Sequence, residues 1–158
     1  MPCPRPLAPL FAVLLLVLAV PGWGQTGPDP SRDEFLQTIG MLAGQGLVLG
    51  HESLEGIAAR YEKKLMSREQ ALRALDDQTR YADWVLAAFK DRLMARLGAQ
   101  EQKDLSLLIG FYETQREATQ ALAVYVRSGG VKNRELFQNL QARVGEVIGR
   151  ISLGGAAP

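Results

Sequence analysis

The stretch that decides the fold is TIGMLAGQGLVLGHESLEGIA, residues 38–58 of the 158-residue chain. Its polar residues Thr38, Gln45 and Glu52 recur at every seventh position, so on a helix they form one narrow solvent-facing line. Most of the other positions are apolar or glycine. This pattern predicts a helix that is buried over most of its circumference.

Five glycines interrupt this stretch: Gly40, Gly44, Gly46, Gly50 and Gly56. Each glycine in a helix interior costs about 1 kcal/mol relative to alanine, and their sum is comparable to the whole stability of a small domain. Either neighbouring helices approach closely over the missing side chains, or the helix breaks here. The apolar positions keep helical spacing across the glycines, so we predict one continuous helix.

The N-terminus, residues 1–24, has the pattern of a secretory signal sequence. Arg5 supplies the positive charge, residues 10–20 the apolar run, and Gly22 and Gly24 the small residues before a cleavage site. The apolar run is shorter than the roughly 18–20 residues that a membrane span needs. We therefore expect a periplasmic or secreted protein, with an uncleaved membrane anchor as the alternative.

Cleavage after Gly24 would leave a mature chain without cysteine, because the single cysteine, Cys3, precedes the apolar run. Because Cys3 lies before the apolar run and not after it, a lipoprotein acylation site is excluded. The lack of cysteine in the mature chain excludes disulfides, thiol nucleophiles and thiolate metal sites. Removing Arg5 also makes the numbers of Lys and Arg and of Asp and Glu equal. The mature chain therefore has no excess of positive charge that would indicate nucleic-acid binding.

The remaining sequence divides into helices. Ser31 with Glu34, and Ser67 with Gln70, are capping boxes that predict the starts of helices 1 and 2. The expected helices cover residues 32–65, 68–97 with Gly98 as the C-cap, 100–127, and a fourth that is capped by Asn133 and ends near residue 153. Short links favour antiparallel neighbours. We predict an all-α, up-down-up-down four-helix bundle over residues 31–153 with a short fourth helix, a disordered leader at 25–30 and a flexible tail at 154–158.

Helical periodicity places several polar residues at or near core positions in the middle of this bundle. This polar layer consists of Ser53, Thr79, Gln115, Thr119 and Gln141. It has two interpretations. The layer could be a small ligand-binding pocket between helices, or it could be a set of internally satisfied hydrogen bonds that fixes helix register.

Two further surfaces are candidates for contact with a partner. One flank of helix 1 carries Gly40, Gly44, Leu47 and His51. Because the two glycines have no side chain, a second copy of the chain could approach this flank closely. We therefore expect a homodimer through helix 1, with some of Met41, Leu47 and Val48 uncovered in the monomer.

On helix 2, Tyr81 and Trp84 point away from the apolar stripe. Large aromatic residues on an outward face are typical of partner surfaces.

His51 is the only histidine, and no metal-binding or catalytic motif surrounds it. Glu52 and Glu55 are not expected to share its face closely. We expect no catalytic constellation, metal site or cofactor. The sequence favours an exported, non-enzymatic bundle that binds a small ligand or a protein partner, as a sensor-like or interaction module. The alternative is a small periplasmic enzyme or metal-handling bundle centred on His51, which requires an acid within hydrogen-bond reach of the imidazole.

Overall fold

A computed structural model of the protein describes residues 30–154. The predicted signal sequence, leader residues 25–29 and tail residues 155–158 lie outside the described residues. Contacts divide the chain into two compact units, Met1–Phe35 and Leu36–Pro158. In the first unit the described residues 30–35 are helical, and the second unit contains the rest of the helices.

The described residues form four α-helices and no strand. The helices are α1 at Pro30–Glu62, α2 at Arg68–Ala87, α3 at Ala99–Ser128 and α4 at Val131–Gly154. The prediction that helix 1 runs unbroken through its five glycines is confirmed. The protein is therefore an all-α four-helix bundle.

Local sequence explains several helix ends. Ser67 forms the predicted capping box with Gln70 at the start of α2. Gly98, predicted to end helix 2, instead precedes α3, where its N–H donates to the Glu101 carboxylate over 2.6 Å. Asn133 does not cap α4, which begins two residues earlier; its amide donates to the Gly129 carbonyl at the end of α3.

The second helix ends differently from the prediction. Its α-helical hydrogen bonding stops at Ala87 and continues as a π-helical segment, Ala88–Leu93, and a 3₁₀ turn, Met94–Arg96. The α-helical part of α2 has 20 residues and α4 has 24. The expectation that the fourth helix is the shortest is therefore wrong for the α-helices themselves.

The buried apolar residues form two clusters, which differ in the helices that build them. One cluster takes residues from all four helices and includes Leu54, Leu75, Leu122 and Phe137. The other, which includes Ala43, Phe89, Ile109 and Tyr112, takes residues from α1, α3 and the second helix with its π-helical extension. Helix α1 thus contributes to the core along most of its length. None of the helices within residues 30–154 combines the length and apolar character of a membrane span.

Candidate functional site

The contact between α1 and α3 is built on a glycine and a buried amide. Gln115 on α3 is buried, and its Nε2 donates to the Leu47 carbonyl of α1 over 3.2 Å. A Cβ at Gly50 would overlap this amide nitrogen and lie 2.9 Å from Gln115 Cδ. Gly50 is therefore needed because the Gln115 side chain crosses directly over its backbone.

One helical turn earlier, Gly46 performs the same role for a tyrosine pair. The Tyr112 hydroxyl donates to the Ala43 carbonyl over 2.8 Å, and the Tyr81 hydroxyl hydrogen-bonds with that of Tyr112. A Cβ at Gly46 would lie 2.7 Å from the Tyr112 hydroxyl and 3.3 Å from that of Tyr81. Burial, followed by the charge and hydrogen bond of Tyr81, raises the pKa of Tyr112 above its ordinary value.

The other members of the predicted polar layer also use their hydrogen bonds locally. Thr119 is buried and donates to the Gln115 carbonyl one turn earlier. Thr79, which we expected to be buried, is half-buried and donates to the Leu75 carbonyl. Ser53 is half-buried and accepts from Gln78. These bonds favour the interpretation that the layer fixes helix register.

Gln141 belongs to a different contact, between α1 and α4. It is buried, and its Nε2 donates to the His51 carbonyl over 2.8 Å. The His51 ring lies over Gly145, whose Cβ would be 3.5 Å from the imidazole Cε1. Among the described residues, neither His51 Nδ1 nor Gln141 Oε1 has a hydrogen-bond partner, although both atoms are buried.

The expectation that Glu55 lies away from the His51 face is wrong. His51 Nε2 lies 3.5 Å from Glu55 Oε1, and only 15% of the histidine side chain is exposed. Residues four apart are neighbours on a helix, so the spacing alone could have identified this pair. Within residues 30–154, no group of three His, Cys, Asp or Glu side chains could hold a metal ion.

The flank of α1 that we predicted as a dimer surface is largely covered by the chain itself. Leu47 is fully buried, and His51 packs on α4. Positions Gly40 and Gly44 are half-buried, and a Cβ at either would meet nothing within 4 Å. Within the chain, close packing over glycine therefore occurs at Gly46 and Gly50, whereas Gly40 and Gly44 remain uncovered.

On the first two helices, large apolar residues remain exposed on the outer side of α1 and the adjacent side of α2. The predicted polar line of Thr38, Gln45 and Glu52 is exposed. Beside this line lie three exposed apolar residues, namely Met41, Leu42 and Leu49.

Gly46 connects this side of α1 to the aromatic residues of α2. It lies within one turn of both Leu42 and Leu49, and the Tyr81 hydroxyl rests against it. Trp84 is 54% exposed, with its ring centroid 6.4 Å from that of Tyr81. We call Leu42, Leu49, Tyr81 and Trp84 the outer surface. Sequence reasoning identified the two aromatic residues but missed the two leucines.

A second feature that the sequence did not reveal is a groove of about 320 Å³ between α3 and α4. Its apolar wall includes Leu107, Phe111 and Val147, and Arg143 and Glu146 also line it. Gly110 lines the groove as well, and a Cβ there would meet nothing within 4 Å. Its size is at the lower end of small-molecule sites.

Comparison with known proteins gives no further guidance. No family model matches the chain, and neither the curated proteins nor the solved structures include a match.

Proposed function

We propose that this protein is an exported, non-enzymatic helical bundle that acts as an interaction module through its outer surface. Its partner is a second copy of the same chain. The observation that carries the proposal is the exposed Trp84–Tyr81 pair beside Leu42 and Leu49. Export is supported by the signal-like pattern of residues 1–24.

The chemistry of the outer surface supports a protein partner. Tryptophan and tyrosine are the residues that most often dominate the binding energy of protein interfaces. Helix α1 contains neither lysine nor arginine between Arg32 and Arg60, and Glu52 is the only acidic residue of its polar line. Two copies related by a two-fold axis would therefore meet through mainly uncharged surfaces, and two-fold dimers are the commonest oligomers.

The proposed arrangement of the bundle is up-down-up-down and antiparallel. Between α1 and α4, the contacts pair Glu62 with Arg134 and His51 with Gln141. Residue numbers therefore rise along one helix as they fall along the other, as antiparallel neighbours require.

The contacts of α3 agree with this arrangement. Between the second helix with its π-helical extension and α3, Arg68 bonds to the Arg127 carbonyl and Lys90 pairs with Glu113, again in opposite order. Between α1 and α2, Gln78 donates to Ser53 and the Tyr81 hydroxyl rests against Gly46, also in opposite order, which supports α1 and α2 as antiparallel neighbours that share one outer surface.

Native mass spectrometry of the protein purified from its host's envelope tests export and self-association together. We expect a dimer of chains that begin at Gln25. Replacing Leu49 with glutamine should raise the dimer dissociation constant at least tenfold, because a polar amide replaces an apolar contact at a fully desolvated position.

The matched control is Leu136→Gln, because Leu136 on α4 is 53% exposed, compared with 58% for Leu49. This variant should leave the dissociation constant unchanged. A monomer at all protein concentrations, or equal effects of the two substitutions, would reject the proposed surface.

A second candidate function is a small enzyme or metal-handling bundle centred on His51. The 3.5 Å separation of His51 Nε2 from Glu55 supports it, since an acid lies near the imidazole. Against a metal role, no group of three His, Cys, Asp or Glu side chains within residues 30–154 is placed to hold a metal ion. We therefore rank this candidate second.

A further inference from the structure

The contact between α1 and α4 at His51 differs from the other polar contacts of the bundle in its unused hydrogen-bond acceptors. Gln141 Nε2 donates to the His51 carbonyl, and this bond fixes which end of the amide is oxygen. Gln141 Oε1 is left buried and without a protein partner among the described residues. Only 6% of Gln141 is exposed.

The imidazole contributes a second acceptor. Because His51 Nε2 faces the Glu55 carboxylate at 3.5 Å, we place its proton on Nε2, so Nδ1 carries the free lone pair. Nδ1 is buried and also lacks a partner within residues 30–154. The ring lies over Gly145, and Gln141 lies one turn from Gly145 on the same face of α4. The two acceptors therefore belong to one small region between the helices.

The surroundings of these acceptors are negative. Glu55 is 61% exposed, and no lysine or arginine of the described residues pairs with it. Helix α1 has no lysine or arginine between Arg32 and Arg60, and the α4 residues that contact His51, namely Gln141 and Gly145, are uncharged. Two acceptors beside an unneutralised carboxylate favour a ligand that carries both N–H donors and positive charge.

We propose that His51, Glu55 and Gln141 form a binding site for the ammonium group of a small primary amine. The ammonium donates to Gln141 Oε1 and His51 Nδ1, and its charge is balanced by Glu55. The Glu55 carboxylate is exposed to solvent beside the imidazole, and the glycine at position 145 leaves α4 without a side chain under the ring. This site is independent of the outer surface proposed above.

The single histidine makes a direct test available. In untagged, ¹⁵N-labelled protein at constant pH, the imidazole nitrogen resonances come from His51 alone. Titration with methylammonium or putrescine should give saturable shifts of these resonances. Tetramethylammonium, which has the same charge as methylammonium but no N–H donor, should leave them unchanged.

Two substitutions locate the site. Gln141→Met removes the amide acceptor and Glu55→Gln removes the charge, and each should raise the amine dissociation constant at least fivefold. Glu52→Gln is the matched control, because it removes an exposed carboxylate of α1 from the outward polar line and should change nothing. Glu55→Gln keeps the test decisive even if Gln141→Met does not fold, since Glu55 is mostly exposed.

Three results would overturn the proposal. The first is an absence of imidazole shifts with any amine, as expected if water alone satisfies both acceptors. The second is a response to tetramethylammonium equal to that of methylammonium. The third is an unchanged dissociation constant in both Gln141→Met and Glu55→Gln.

Discussion

The two sides of α1 that face α3 and α4 both pack polar side chains over glycines, but they differ in how the hydrogen-bonding groups are satisfied. Towards α3, Gly46 and Gly50 leave space that Tyr112 and Gln115 fill, and both side chains donate to α1 carbonyls. Towards α4, His51 and Gln141 meet over Gly145, and each retains a buried polar atom without a protein partner among the described residues. The α1–α3 contact satisfies its polar groups within the chain, whereas the α1–α4 contact leaves two buried acceptors available to a ligand.

The comparison also separates two kinds of glycine within one helix. At Gly50 a side chain would collide with a buried amide, whereas at Gly44 it would meet nothing within 4 Å. Glycine destabilises the helix by about the same free energy at both positions, relative to alanine. Only Gly50 is explained by a contact within the chain.

The largest expected effect comes from filling these two glycine positions with alanine. Gly50→Ala should lower the free energy of unfolding by about 2 kcal/mol, because overpacking and loss of the Gln115–Leu47 hydrogen bond exceed the gain in helix propensity. Gly44→Ala is the matched control and should raise it by up to about 1 kcal/mol. Urea denaturation of both variants measures the difference, and equal effects at the two positions would contradict the distinction.

An effect of intermediate size concerns the ionisation of Tyr112 on the α3 side. Because the pKa of Tyr112 is raised in the folded protein, the unfolded chain loses this proton first, near its ordinary pKa of about 10. The stabilisation is present below that pH. As the pH rises above about 10, this residue should reduce the free energy of unfolding by about 1.4 kcal/mol per pH unit.

Tyr112→Phe is the control for this alkaline loss, since it removes the ionisable group and retains the ring that packs on Phe89 with a centroid distance of 5.8 Å. The slope of unfolding free energy against pH between about pH 10 and 11 should be smaller in the variant by the contribution of one group. Parallel curves for the two proteins would show that Tyr112 does not contribute.

The sequence predicted where the helices lie along the chain better than it predicted which face of each helix points to a neighbouring helix. Helical spacing identified a continuous α1 and the burial of Gln115 and Thr119, because these depend on periodicity within one helix. It misplaced Leu47, since α1 is apolar or glycine around most of its circumference and such a pattern does not fix which flank faces a neighbour.

Other features depend on tertiary contacts that no local pattern encodes. The π-helical segment Ala88–Leu93 departs from the ideal α-helix at the end of the second helix, and Phe89 within it packs against Tyr112. The choice between Gly44 and Gly50 as the close-packing glycine depends on where the Gln115 side chain crosses α1. By contrast, the His51–Glu55 contact follows from a spacing of four residues and was available from the sequence.

The smallest expected effect distinguishes the two buried glutamines, Gln115 towards α3 and Gln141 towards α4. Gln115→Leu should change the free energy of unfolding by less than about 1 kcal/mol. The reason is that the Leu47 carbonyl keeps its bond within α1, and leucine replaces the amide with an apolar group of similar size. The change should also leave the His51 imidazole resonances unaltered, since Gln115 contacts α1 at Leu47 and Gly50.

Gln141→Leu is the comparison, because it removes the same type of side chain from the other side of α1. It should stabilise the protein by about 1 kcal/mol, since a buried oxygen without a protein partner disappears, and it should shift the imidazole resonances. Chemical denaturation and the ¹⁵N spectrum of His51 measure both effects. A loss of more than about 2 kcal/mol in Gln115→Leu would contradict this prediction, whereas the loss of a co-purifying ligand would make the α3 side a binding pocket.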